Sequence, residues 1–466
     1  MSVEGRALPG PPGIPVLGSM LTFARRGVFD TFTKLHAEYG DFARLRLPGG
    51  KIAAAIAHPD GAERILRERR HNYIKGPTYD PIRLITGTNL VTAEGAAWAW
   101  RRRLAQPAFT RAGVAKLLEA MGSCVDAMVE RWARRYADGR PFDLQRELVA
   151  LTMRIVGRTL FGVELAGEGA ESSGRAFDAA LSIVHARGAA SVALPLAIPT
   201  PSNLRLRRAL ATLHQEVEAI IARARAGEGQ DTLLSALLHA RDPETGAALD
   251  AIQLRDEVIM LYLAGHETTA TLLTWTFWAL ARAPEAMEEL LAEADRSGDP
   301  GPVTPELFES LPWTRQVLQE VLRLHPPAPL VPRTVVEDDV LGGYRIPAGA
   351  HAVLHVYTLH RHPEFWESPA AFRPERFADA AISAQHRYAY LPFSAGPRTC
   401  IGNTFALWES QLALARILRR FVVELDPRAP LRLAASTIHR PAGGVTARLR
   451  SRPASDGATR GAAEPA

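Results

Sequence analysis

A lone cysteine in a glycine-bent loop, set directly ahead of a helical pattern, restricts this chain more than any other feature. The segment is Phe393-Ser394-Ala395-Gly396-Pro397-Arg398-Thr399-Cys400-Ile401-Gly402, and an apolar-periodic stretch follows it to about Phe421. Only a thiolate is a good metal ligand, and a free thiol with its reference pKa of ~8.5 is mostly protonated at neutral pH. The loop must therefore favour an anion, which a helix N-terminus does through its unpaired N–H groups and positive dipole end. Gly396 can take a backbone conformation closed to other residues, and Gly402 lets the helix start approach a flat ligand. This is how a thiolate is held against a metal. The other cysteine, Cys124, lies in a helical pattern and reads as an inert core residue.

Composition narrows the classes. The chain has 466 residues with 47% hydrophobic and 23% charged, and no Ser/Gly linker or charge run divides it. One domain over 1–450 is expected, with a flexible Pro/Gly-rich lead-in at 1–13 and a disordered small-polar tail at 451–466. The net charge of +5 is spread without a Lys/Arg tract, which speaks against nucleic acid and for an acidic protein partner. Two cysteines exclude a disulfide framework and suit a reducing compartment. The first residues carry neither the basic nor the apolar region of a secretion signal, so a cytoplasmic chain without a membrane anchor is expected.

Helical periodicity dominates, notably over 113–137, 143–161, 204–226, 251–283 and 314–324. Strand character appears as a hairpin from Phe42 to Ala57 around Pro48-Gly49-Gly50 and from Arg333 to Tyr357 with turns at Gly342-Gly343 and Pro347-Ala348-Gly349. A short third hairpin is expected near Leu431 to Leu449 around Gly443-Gly444. The stretch from Ala251 to Ala283 would be a helix on the order of 50 Å long. Glu267 in its middle argues against a membrane span. His266-Glu267 begins like a zinc-protease motif, but Ala270 stands where the second ligand would.

Five segments occur together: Trp98-x-x-x-Arg102 ahead of Pro107-Ala108-Phe109; Ala264-Gly265-His266-Glu267-Thr268-Thr269; Glu320-Val321-Leu322-Arg323 with Leu324-His325-Pro326-Pro327; Phe372-Arg373-Pro374-Glu375-Arg376-Phe377; and F-x-x-G-x-R-x-C-x-G at Phe393–Gly402. In these the chain resembles the cytochrome P450 family, the haem-thiolate monooxygenases, in a bacterial-type form, from Leu8 to about Arg440-Pro441. The resemblance implies a mainly α fold, a single triangular helical domain with a small β-sheet region. It implies haem b (heme b, iron protoporphyrin IX), with Cys400 as axial iron ligand and Phe393 packed near the sulfur. Arg398, Arg102, Trp98 and Arg333 would serve the haem propionates. Ala264 and Gly265 would leave room for dioxygen and allow a local opening of the helix ladder, while Thr268 donates a hydrogen bond there and Glu267 connects to solvent. Glu320, Arg323 and Arg376 would form a buried network fixing the loop ahead of Cys400.

The activity so implied is hydroxylation or epoxidation of an apolar small molecule with O2 and two external electrons. No cysteine cluster or dinucleotide fingerprint is present, so a ferredoxin or flavodoxin with its NAD(P)H reductase would supply them to a monomer. A hydrogen-peroxide-driven peroxygenase of the same fold and a non-catalytic haem-based gas or ligand sensor are the alternatives. By the same analogy Leu84, Ile85, Leu90, Leu261, Leu263, Leu330 and Val331 would line an apolar pocket for a terpenoid, steroid, fatty acid or polyketide.

Overall fold

The structure, a computed structural model, describes residues 4–452 except 15–17, 165–175, 177–178, 181, 185–194, 228–231, 243, 298–300, 379–381, 430 and 434–437. Among the described residues the main helices are α1 (Met20–Tyr39, broken at Gly27), α2 (Asp80–Thr86), α3 (Gly95–Ala105), α4 (Leu118–Tyr136), α5 (Leu144–Val156), α6 (Pro201–Arg225), α7 (Ala251–Leu280), α8 (Pro284–Arg296), α9 (Pro312–Leu324) and α10 (Asn403–Arg420). The strands are β1 (Arg6–Ala7), β2 (Phe42–Arg46), β3 (Ile52–Ile56), β4 (Tyr73–Ile74), β5 (Phe142–Asp143), β6 (Leu330–Val335), β7 (Asp339–Leu341), β8 (Tyr344–Ile346), β9 (His351–His355), β10 (Phe421–Glu424), β11 (Arg432–Leu433), β12 (Pro441–Ala442) and β13 (Thr446–Ser451).

α7 is the axis of the main core. Asp250 and Gln253 close a capping box at its start, satisfying donors that a helix end otherwise leaves open. From Leu254 onward it is buried on nearly every side, as a helix surrounded by others is, and α5, α6, α9 and α10 pack around it. Among the described residues no helix is long and apolar enough to cross a membrane. Cys124 is a fully buried member of the same core, on α4.

The main sheet has the order β2-β3-β9-β6-β4. β2 and β3 form the expected hairpin, Phe42 opposite Ile56, and β3 then runs parallel to β9. Its Ile-Ala-Ala-Ala-Ile sequence suits a strand paired on both edges and covered on both faces. The turns at 342–343 and 347–349 are present, but β7 and β8 lie outside this sheet, paired with each other, and β8 pairs with β1. The lead-in expected to be flexible is therefore tied down over Arg6–Ala7, and Leu8 is buried behind it.

The third hairpin differs from expectation. β11 pairs with β12, while β13 turns away at Gly443-Gly444 to lie between β10 and β5. Two glycines at φ 82° and 80° redirect the chain there instead of closing a symmetric hairpin. The helix expected over 113–137 begins at Leu118, because Thr110 caps a separate turn, Arg111–Ala115. β13 reaches Ser451, and the rest of the expected tail from 453 lies outside the described residues.

Candidate active site

The Cys400 loop is closed by its own backbone, Cys400 N–H donating to the Phe393 carbonyl at 2.9 Å. Gly396 has φ 68°, and a Cβ there would lie 2.3 Å from the Leu66 carbonyl oxygen, so the loop rests on the 64–68 turn through a position only glycine fills. Gly402 is under no such demand from protein: a Cβ would meet only Phe109, at 3.9 Å. Phe393 is half-buried against the main core.

Cys400 is exposed, yet burial is the largest influence on its thiol and pushes it up, with the Gly402 N–H and the Arg102 charge pulling it down. Both hold when a sulfur faces a void inside the protein. Ala264 shares that condition, exposed on α7 between Leu263 at 4% and His266 at 5%. Two exposed positions, on packed elements and ringed by core, are what a slot for a flat group leaves behind.

The helix ladder is not open at this slot. α7 runs unbroken, Thr268 Oγ1 donates back to Ala264 O at 2.9 Å, and Thr269 Oγ1 to Gly265 O at 3.5 Å. Gly265 does not provide space either. A Cβ there would come 2.7 Å from Val156 Cγ2, so this glycine allows the close approach of α5, and of the two small residues Ala264 is the exposed one. His266 is buried, its Nδ1 2.6 Å from Tyr262 O. Glu267 is buried too, its Oε1 3.1 Å from Nε of Arg440, whose side chain is 26% exposed. Glu267 itself does not reach solvent; the partly exposed side chain beside it is that of Arg440.

Arg398 stacks over Trp98 with its guanidinium carbon 4.1 Å from the ring centroid, and donates to Ala93 O at 2.9 Å and Glu94 at 2.7 Å. Arg102 donates to Thr399 O at 2.9 Å beside the cysteine, and Arg333 to Pro332 O at 2.8 Å and the Tyr79 hydroxyl at 3.3 Å. Lys75, 6% exposed, joins them and bonds to Val91 O. Burial and then the charges of Arg398 and Arg333 hold its ammonium well below the usual lysine range, while Glu94 opposes them. Cations gathered around one carboxylate leave positive charge uncompensated, which fits a dianionic edge such as the two haem propionates.

Glu320 and Arg323 meet through 2.7 and 2.8 Å contacts at zero exposure, and Arg376 reaches the same carboxylate at 3.2 Å. Arg323 also donates to His360 O, Pro369 O and Ala371 O, at 2.9, 2.7 and 3.0 Å. His360 carries the network on, its Nε2 accepting from Leu391 N–H at 2.7 Å, shortly before Phe393.

Of the apolar set, Leu84, Ile85, Leu261 and Leu263 belong to the main core, and Leu90 shares a small cavity with Leu261. Leu330 and Val331 do not join them. Adjacent on β6, they face opposite sides, Leu330 toward Phe32 and Leu35 and Val331 toward the cluster around Leu8 and Tyr73. Lys75, His360 and Arg440 were not singled out from sequence, because no local pattern marks a residue whose partners come from other, non-adjacent elements.

A family model described as Cytochrome P450 matches residues 8–442. Similar proteins include cyclooctatin synthase of Streptomyces melanosporofaciens, 34% identical over 91% of each chain. Pentalenene oxygenase of Streptomyces avermitilis is 35% identical over 92% of this chain and 94% of that protein. The crystal structure of the cytochrome P450DA heme domain superposes with a TM-score of 0.86 at 27% identity, covering 97% of this chain and 99% of that one.

Proposed function

We propose a specific assignment for a chain that belongs to the cytochrome P450 family and is a haem-dependent monooxygenase of apolar small molecules: it oxidises a terpenoid hydrocarbon, and the residues gathered around the slot divide the work. The likeness to cyclooctatin synthase and pentalenene oxygenase supports the substrate class. Cys400 would hold the iron of haem b, with Arg398, Arg102, Arg333, Trp98 and Lys75 at the propionates. Bound haem supplies the activation of dioxygen, one oxygen atom entering a C–H bond and the other leaving as water.

The chain's own residues handle protons and shape. Thr268 presents its hydroxyl at the slot, and Glu267 beside it holds a proton acceptor in place through its ion pair with Arg440 at the solvent side. Ala264 leaves the space. The Glu320–Arg323–Arg376 network, through His360, fixes the backbone leading to the cysteine. A redox partner is part of the activity; we assign a ferredoxin or flavodoxin with its NAD(P)H reductase, favoured by the net charge of +5. One domain through residue 450, acting as a monomer in the cytoplasm, completes the reading.

The observation that supports it most is the exposure of Cys400, in a loop whose thiol is nevertheless pushed up by burial, together with the exposed Ala264 next to the Glu267–Thr268 segment. Holoenzyme with a ferredoxin, its reductase and NADPH tests it against terpenoid hydrocarbons, steroids, fatty acids and polyketides. Substrate-induced spectral shift and oxygenated product are expected with the terpenoids; a response confined to another class overturns the substrate assignment. Product formed with hydrogen peroxide alone at an equal rate would favour the peroxygenase, which the Glu267–Thr268 pair speaks against. Binding without NADPH consumption would indicate the sensor.

A further inference from the structure

Glu257 lies eleven residues before Thr268 on α7, and the spacing 257, 261, 264, 268 puts it on the helix face that carries Leu261, Ala264 and Thr268. It is a buried carboxylate with three tasks. Its Oε1 stands 2.9 Å from Nε of Arg101 on α3, the two side chains 6% and 5% exposed. Its Oε2 accepts the Leu90 backbone N–H at 3.0 Å. With Leu90, Arg101 and Leu261 it walls the same small cavity. The neighbouring Asp256 repeats the arrangement, accepting the Thr88 N–H at 2.9 Å.

The segment so held is rigid in itself. Asn89 is fully buried, donates to Thr86 O and Thr86 Oγ1 at 3.0 and 2.9 Å, and accepts from Val91 N–H and Thr92 N–H at 3.0 and 3.2 Å. Thr92 Oγ1 closes the knot to Gly87 O at 2.9 Å. A knot satisfied internally moves as a unit, and its seat on α7 is set by the two carboxylates. Gly87 shows how tight that seat is: it has φ 67°, and a Cβ would fall 1.9 Å from Asp256 Oδ2.

We infer that Glu257 and Asp256, with Arg101, are positioning residues for substrate selection: they seat the 87–92 knot on α7 and so fix Leu90 beside Leu261, at the end of the apolar space remote from Thr268. This rests on the reading of Leu90 and Leu261 as pocket residues. The selected feature is the bulk of an apolar guest, since only a guest extending about two turns along α7 from Thr268 meets Leu90 beside Leu261. Exchanging Leu90 alone changes volume, whereas loosening Glu257 lets the whole wall shift.

The test uses holoenzyme and two probes that bind the iron whatever the natural substrate is, imidazole and the bulky clotrimazole. In Glu257→Leu, amide hydrogen exchange at Leu90 should rise about tenfold, the scale of one lost hydrogen bond to a charged group, with exchange in α4 unchanged. Clotrimazole should weaken by about tenfold in Kd, with imidazole held within about twofold. Glu257→Gln, which keeps an acceptor for Leu90, should recover most of the protection. Gly87→Ala, which disturbs the seat without removing a carboxylate, should loosen the knot if the leucine variant does not fold. Unchanged exchange at Leu90, or equal weakening of both azoles, overturns the inference. Because neither probe is a terpenoid, failure of the substrate class leaves this result as it stands.

Discussion

Thr268 bonds back to Ala264 as threonines in helices do, so its part in catalysis depends on what surrounds it: an opening at Ala264 on one side and the Glu267–Arg440 pair on the other. Removing the hydroxyl costs the helix nothing, since the back-bond is an added contact to a carbonyl already in the ladder. Thr268→Ala is therefore expected to keep haem content and stability while product per NADPH falls about tenfold and peroxide appears, checked by parallel NADPH, product and peroxide assays. Equal coupling in variant and parent would remove Thr268 from the reaction. Arg440 acts one step further out. Arg440→Leu leaves Glu267 buried without its cation and should lower coupling a few-fold, about the effect of one displaced proton donor, while Arg440→Lys restores it. Cys400, Glu320, Arg323 and Glu267 were legible in the sequence because each sits in a motif of fixed spacing. Arg440 and Lys75 were not, since a salt bridge across the fold and a lysine buried among arginines are made by packing alone.

Between elements, the contact of α5 with α7 decides where the slot lies. Gly265 brings the helices together against Val156, and Thr152 Oγ1 donates to His266 O at 2.9 Å in the same contact. Gly265→Ala places a methyl where Val156 Cγ2 stands, and overpacking of this kind costs ~1–3 kcal/mol, partly offset by the better helix propensity of alanine. Val156→Ala alone opens a small cavity, but combined with Gly265→Ala the two changes exchange volume across the interface. A double-mutant cycle in urea should return a favourable coupling of ~1 kcal/mol or more; strict additivity would mean that the helices do not pack through this pair. Element identity was readable from periodicity, and α7, α9 and the first hairpin fall where expected. The pairing of β8 with β1, and of β13 with β10 and β5, was not, because strand partners are chosen by long-range topology that local turns do not encode.

Across the whole molecule, the fold stores neutral histidines. Burial lowers His355 and His360 to about 3 and His439 to about 4, and holds His325 well below its usual range. Unfolding exposes them at the ordinary value of ~6.5, so between these limits the unfolded chain binds the additional protons and stability is lost as pH falls. Burial of His36, His214 and His351 acts in the same direction. Two carboxyls oppose them: Glu257 is raised by burial to about 7 and Glu409 is raised well above its usual range, so near pH 5.5 the folded state holds protons the unfolded state releases. Near pH 5, where the exposed histidines are almost fully protonated, four strongly shifted histidines against two carboxyls leave about two protons in favour of the unfolded state, a slope of ~3 kcal/mol per pH unit at ~1.4 each, which flattens toward pH 6.5. Urea titrations of the holoenzyme at intervals from pH 6.5 to 5 should show that decline. Glu257→Gln removes one opposing proton, so its slope should steepen by ~1.4 kcal/mol per pH unit, whatever its effect at pH 7. A variant slope parallel to the parent's would mean that Glu257 is ionised in the folded protein throughout this range. The Arg101 pair would then be a fully charged clasp on the 87–92 segment at every working pH.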